Sequence, residues 1–184
     1  PEVQLPLKLN LAISRKNYAE SAKLFRQLEE KYGDKVMPQL YLHMLVAAEG
    51  GRDVNLLNHC WAMLAKRKLL GDPVFANSVG YVAAELNVRL PEAEKLIRAA
   101  VKAEPKNGAY LDSLAWVLYR QGNYQGAEVE IRKALEVAPE QERGVLYDHA
   151  GDILLKLGKK AEAKEFFRKA LKEDDPEPVS YTHL

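Results

Sequence analysis

The sequence predicts an all-α protein, a solenoid of about ten helices in five antiparallel pairs, and three observations carry that prediction. Apolar residues recur at helical spacing, as in Leu111, Leu114, Ala115 and Leu118 and again in Ala127, Ile131, Ala134 and Leu135. A polar break at Gln121, Gly122 and Asn123 separates those runs, so 108–139 reads as one helix-turn-helix hairpin closed by Pro139. The hairpin then repeats. Phe25, Cys60, Ile97, Ile131 and Phe167 fall at equivalent places, spaced by 35, 37, 34 and 36 residues, and Leu28, Met63, Ala100, Ala134 and Ala170 keep the same spacing.

The first pair occupies about 2–34. Leu5, Leu7, Leu9 and Leu11 alternate as in a strand, yet the stretch NYAESAKLFRQLEEKYGD that follows is a strong second helix, which favours a short first helix after Pro6. The second pair, about 35–71, starts at Pro38, suited to a first helical turn, and its first helix ends at Gly50 and Gly51. Bulky Leu56 makes it the least regular pair, with a register open by one residue. In the third pair Asn87, Val88 and Arg89 replace the usual glycine turn. The fourth is the most regular, apart from Gly126 within a helix, which costs ~1 kcal/mol relative to alanine. Two extra residues near Gln141 lead to the fifth, after which Asp174, Asp175 and Pro176 end the pattern. The last residues, 178–184, lack periodicity, are expected to be unstructured, and resemble a translated sequencing adapter.

Small residues hold fixed places in this register. Gly80, Ala115 and Gly151 stand in first helices, and Ala93, Ala127 and Ala163 stand early in second helices, with Ala100, Ala134 and Ala170 further on. Larger side chains there would push the helices apart. Together with Pro105 and Pro139, 34 residues apart, these positions resemble a bacterial-type tetratricopeptide repeat array. The resemblance implies a right-handed superhelical solenoid that binds other polypeptides. It divides the chain into two degenerate pairs over 1–72, three regular repeats over 73–177, and the tail.

Composition limits the other classes. The charge is nearly balanced, 27 Lys and Arg against 26 Asp and Glu, which argues against a nucleic-acid footprint. No apolar run approaches the ~20 residues of a membrane-spanning helix. The single cysteine, Cys60, precludes an internal disulfide, and its core register marks it as a small hydrophobe and not a nucleophile activated by His59. Asp148, His149 and Asp152 lie within about one turn, but His149 points about 100° from the other two, so solvated groove residues are expected there and no metal site. No catalytic or cofactor-binding set emerges, and the chain is expected not to be an enzyme. A start at Pro1 suggests a fragment or processed form, which leaves localisation open.

Function is therefore expected on the concave face, which the resemblance assigns to the first helices. Residues four apart on that face are Asn77, Tyr81 and Glu85, then Asp112, Trp116 and Arg120, then Asp148, Asp152 and Lys156. Tyr81 and Trp116 flanked by carboxylates would seat an apolar anchor and a basic side chain of a peptide. Trp116 has a second reading, as cover for the seam between repeats. The acidic character speaks against the sub-class that clamps a C-terminal carboxylate with Lys, Arg and Asn. Two further expectations stand beside the groove: a recruiting or regulatory role within a larger enzyme or envelope assembly complex, and self-association through an uncapped end.

Overall fold

The computed structural model describes residues 4–174, and the tail expectation for 178–184 lies outside them. Ten α-helices occur, with no strand among the described residues. They divide into two compact units, one up to Ala100 and one from Val101 onward. The first unit holds α1 (Gln4–Ser14), α2 (Tyr18–Tyr32), α3 (Gln39–Gly50), α4 (Val54–Lys66), α5 (Pro73–Glu85) and most of α6 (Leu90–Ala103). The second holds α7 (Gly108–Arg120), α8 (Tyr124–Val137), α9 (Arg143–Lys156) and α10 (Lys160–Asp174).

Local chemistry sets these boundaries. Asn17, Asp53, Asn107 and Asn123 each precede a helix and accept a hydrogen bond from the backbone N–H three residues on, while Asp72 caps α5 through Val74 N–H ahead of Pro73. Gly126 belongs to this chemistry. A Cβ there would stand 2.6 Å from the Asn123 side chain, so the glycine leaves room for the cap that its own N–H satisfies. Between the helices of each pair one residue is left-handed: Lys16, Arg52, Asn87, Gly122 and Gly158, with φ of 54, 50, 57, 82 and 76°. In the second pair that residue is Arg52 and neither Gly50 nor Gly51; a Cβ on Gly50 would overlap the Tyr18 ring.

Within each unit the repeat register is a packing register. Ser21, Leu56, Ala93, Ala127 and Ala163 occupy one column of second-helix positions, all at most 1% exposed. Ser21, the departure from alanine, fits because its hydroxyl donates to Asn17 O at 2.8 Å. A Cβ on Gly80 would meet Ile97 at 2.6 Å, and one on Gly151 would overlap the Phe167 ring. The second pair slips by one residue: Leu64 is fully buried and Met63 only partly. Phe25, Cys60, Ile97 and Ile131 are core residues, whereas Phe167 is half-exposed. The α1 segment is helical from Gln4, so Pro6 lies in its first turn, where its missing N–H costs nothing. Leu9 points inward, and Leu7 and Leu11 remain exposed.

Candidate protein-binding faces of the first helices

In the first unit, Asn77, Tyr81 and Glu85 line one side of α5, each half-buried. The Tyr81 hydroxyl donates to Glu85 Oε1 at 3.1 Å. Asn77 Oδ1 is buried with no hydrogen-bond partner. Glu49 on α3 joins this group, since burial, and after it the charge of Glu85, pushes its carboxyl above the usual range. Glu49 was not foreseen: it closes a helix that reads as almost wholly apolar, and its neighbour is 36 residues away.

In the second unit the nine-residue expectation separates into wall and surface. Asp112 and Trp116 on α7 are 6% and 7% exposed. Asp112 Oδ1 stands 2.8 Å from His149 Nδ1 on α9, and Trp116 is sandwiched between His149, 4.2 Å away, and Tyr119, 4.8 Å away, all nearly parallel. The Arg120 guanidinium lies 5.8 Å over the indole. His149 is thus a buried strut between repeats, which corrects its reading as a solvated groove residue. The 100° offset from Asp148 turns it toward α7 instead of into water.

Asp148 and Lys156 are exposed on α9, and Asp152 between them is half-buried. Burial, then repulsion from Asp148, holds the Asp152 carboxyl above its ordinary range, against the opposing pull of His149 and Lys156. Tyr119 borders the same place: burial and then the Asp152 charge raise its phenol. Tyr124 lies 5.5 Å from Tyr119 and extends the aromatic edge. The result is a like-charge pair beside aromatic rings, a place where an arriving cation gains from both.

Elsewhere the titratable groups are committed to structure. Glu29 receives the Tyr41 hydroxyl at 2.8 Å and contacts His59 Nε2 at 2.6 Å. Burial pushes the Cys60 thiol up to about 12, so it stays protonated and unreactive at neutral pH. Among the described residues no group of three His, Cys, Asp or Glu is placed to hold a metal ion, and no helix is long and apolar enough to cross a membrane.

With this geometry established, comparison with known proteins identifies the repeats. Residues 87–142 and 145–176 each match a model of the tetratricopeptide repeat. The chain is a tetratricopeptide-repeat protein. A TPR repeat-containing protein of Pseudomonas aeruginosa is 42% identical over 66 residues, covering 36% of this chain and 11% of that protein. The type IV pilus assembly protein PilF of the same organism is 28% identical over 86 residues, covering 47% and 34%. The chain therefore spans only a small part of either relative's length. Among solved structures, MamA from Desulfovibrio magneticus RS-1 superposes with a TM-score of 0.64 at 16% identity, covering 92% of this chain and 93% of that one. The structure titled MamA AMB-1 does so at 0.61 and 20%, covering 93% and 98%. These likenesses are of fold. A tetratricopeptide-repeat array of this kind is a protein-interaction scaffold.

Proposed function

We propose that the first helices bind a partner segment carrying basic side chains and an apolar anchor. The observation behind this is the Asp148 and Asp152 pair. Two carboxylates one turn apart, one of them partly buried and held above its ordinary range, are stabilised by any cation that docks between them. Tyr119 and Tyr124 offer the adjoining apolar seat, and Arg120 and Lys156 bound it. Glu49 and Glu85, with Tyr81 and Asn77, form a comparable acidic and aromatic place in the first unit. Asp112 and Trp116 act as the wall that holds His149 and Tyr119, and not as direct contacts. In this reading the array is non-catalytic and does not recruit nucleic acid, and the two irregular pairs over 1–72 support the three regular repeats over 73–177.

The test is peptide-display selection on the wild-type chain, followed by affinity measurement with Asp148→Asn/Asp152→Asn. Both side chains are at least partly in water, so the double variant is expected to fold unchanged. Enriched peptides should carry Lys or Arg beside Leu, Phe or Tyr, and the variant should bind them about tenfold or more weakly, each lost charge-assisted contact being worth roughly 1 kcal/mol or more. Equal binding by the variant, or enrichment of acidic C-terminal peptides, would overturn the proposal.

A second reading follows from the share of the relatives' length that is matched. PilF is named a pilus assembly protein, and a chain covering 34% of it suits the recruiting part of a larger assembly factor. Co-purification with envelope assembly components, abolished by the same double variant, would join the two readings.

A further inference from the structure

We infer that the two ends of the array are complementary halves of its own inter-repeat interface, so that a second copy docks head to tail, α1 of one against α9 and α10 of the other. The starting point is the interface already present inside the second unit. There α9 lies against α7 and α8: His149 reaches Asp112 at 2.8 Å, and Ala150 and Leu154 share an apolar lining with Ile131 and Leu135. Covered in this way, Asp112, Ile131 and Ala134 are 6%, 1% and 0% exposed.

One repeat later the same surface is open. A step of 36 residues carries Asp112, Ile131, Ala134 and Leu135 onto Asp148, Phe167, Ala170 and Leu171. Asp148, Phe167, Ala170 and Leu171, with Gly144 and Val145, line a cleft of about 290 Å³. Leu171 is 69% exposed and Val145 58%. The face that receives α9 in the fourth repeat has no helix over it in the fifth among the described residues.

The first helix supplies the matching half. A step of 142 residues aligns both ends of the first pair with the fifth, Ser14 with Lys156 and Tyr18 with Lys160. It places Leu7 where α9 has His149 and Leu11 where α9 has Ile153. In α9 those positions are 6% and 0% exposed. In α1 they are 59% and 48% exposed, one turn apart on one face. Apolar residues are thus kept at positions that α9 buries and α1 leaves in water. Asp148 would meet Leu7 in the register where Asp112 meets His149, and Lys8, next along, is the cation within reach of it. The helix α1 carries no acidic residue to oppose that contact. Such an interface is heterologous, the two surfaces being different, so association extends until a copy with one blocked end stops it. The inference is independent of the acidic groove: it uses different faces.

The experiment is sedimentation velocity on the full chain over a wide range of concentration, with Leu7→Glu and Leu171→Glu as variants. Both positions are exposed, and circular dichroism checks that each variant keeps its helix content. The wild type should show a sedimentation coefficient that rises with concentration. Each variant alone should remain monomeric, since each lacks one half of the contact. An equimolar mixture should form a dimer and stop there, because the intact α9 and α10 end of Leu7→Glu meets the intact α1 of Leu171→Glu. A wild type that stays monomeric throughout, self-association by either single variant, or a mixture that stays monomeric would each overturn the inference.

Discussion

Trp116 is the residue on which the second unit's binding face turns, because it holds two neighbours at once. Its indole lies between the rings of Tyr119 and His149, and Asp112 fixes His149 from the far side. Truncating Trp116 removes the sandwich and leaves a cavity, so Trp116→Ala should lower stability by about 3 kcal/mol or more. Removing Asp112 strands a buried imidazole nitrogen, and Asp112→Ala should cost roughly 1–3 kcal/mol. Denaturant titration of the two variants checks both values; a loss under half a kilocalorie in either would show that the strut bears no weight. It follows that a loss of peptide binding in these variants cannot be assigned to the groove, which is why Asp148 and Asp152 are the positions that test it. Trp116 Nε1, buried without a partner, adds a cost that the stacking must offset.

At the scale of the element, the recurring unit is a pair of helices joined through one left-handed residue. Gly122 and Gly158 adopt that conformation freely, and asparagine tolerates it at 87. Lys16 and Arg52 do not, and each carries a local penalty of about 1 kcal/mol. Their side chains are exposed, so Lys16→Gly and Arg52→Gly should raise the melting temperature, each by a few degrees. Unchanged or lowered melting in both would mean that the aliphatic stems of these residues stabilise more than the backbone strain costs. The same turns explain what was legible in advance. Small residues and turn breakers recur because two helices can approach closely only there, and that places five pairs correctly from sequence. The alternating leucines of α1 and the slip to Leu64 escape such reading, since both are settled by which neighbour covers a side chain. His149 escapes it for the same reason: its partner Asp112 lies 37 residues away, beyond any local pattern. Glu49 and Glu85 meet across helices α3 and α5 in the same manner.

For the whole molecule, stability is a sum of pair and neighbour terms, and charge makes part of that sum depend on pH. The strongest ionic network ties α8 to the start of α10. Glu128 accepts from Lys159 Nζ at 2.6 Å and from Arg132 at 2.8 Å, and Arg132 reaches on to Glu162 at 2.5 Å. The hydrogen bond from Lys159, and after it that from Arg132, holds the Glu128 carboxyl below its ordinary 4.5. A depressed carboxyl stabilises the fold fully above its unfolded value, and that stability is lost as pH falls through the folded value. Asp152 and Glu49 act with the opposite sign: their carboxyls are raised, so they cost stability at neutral pH and cease to do so once protonated. Falling pH should therefore first relieve Asp152 and Glu49 and only afterwards, below about pH 4, release Glu128. Glu128→Gln should melt below the wild type at pH 7 and converge with it in strong acid, whereas Asp152→Asn should melt above the wild type at pH 7 and converge as pH falls through the raised value. Thermal melts of the three proteins from neutral to acid pH check this. Parallel curves with no convergence would show that these carboxylates keep unperturbed affinities for protons, and would remove the electrostatic basis for a cation at Asp152.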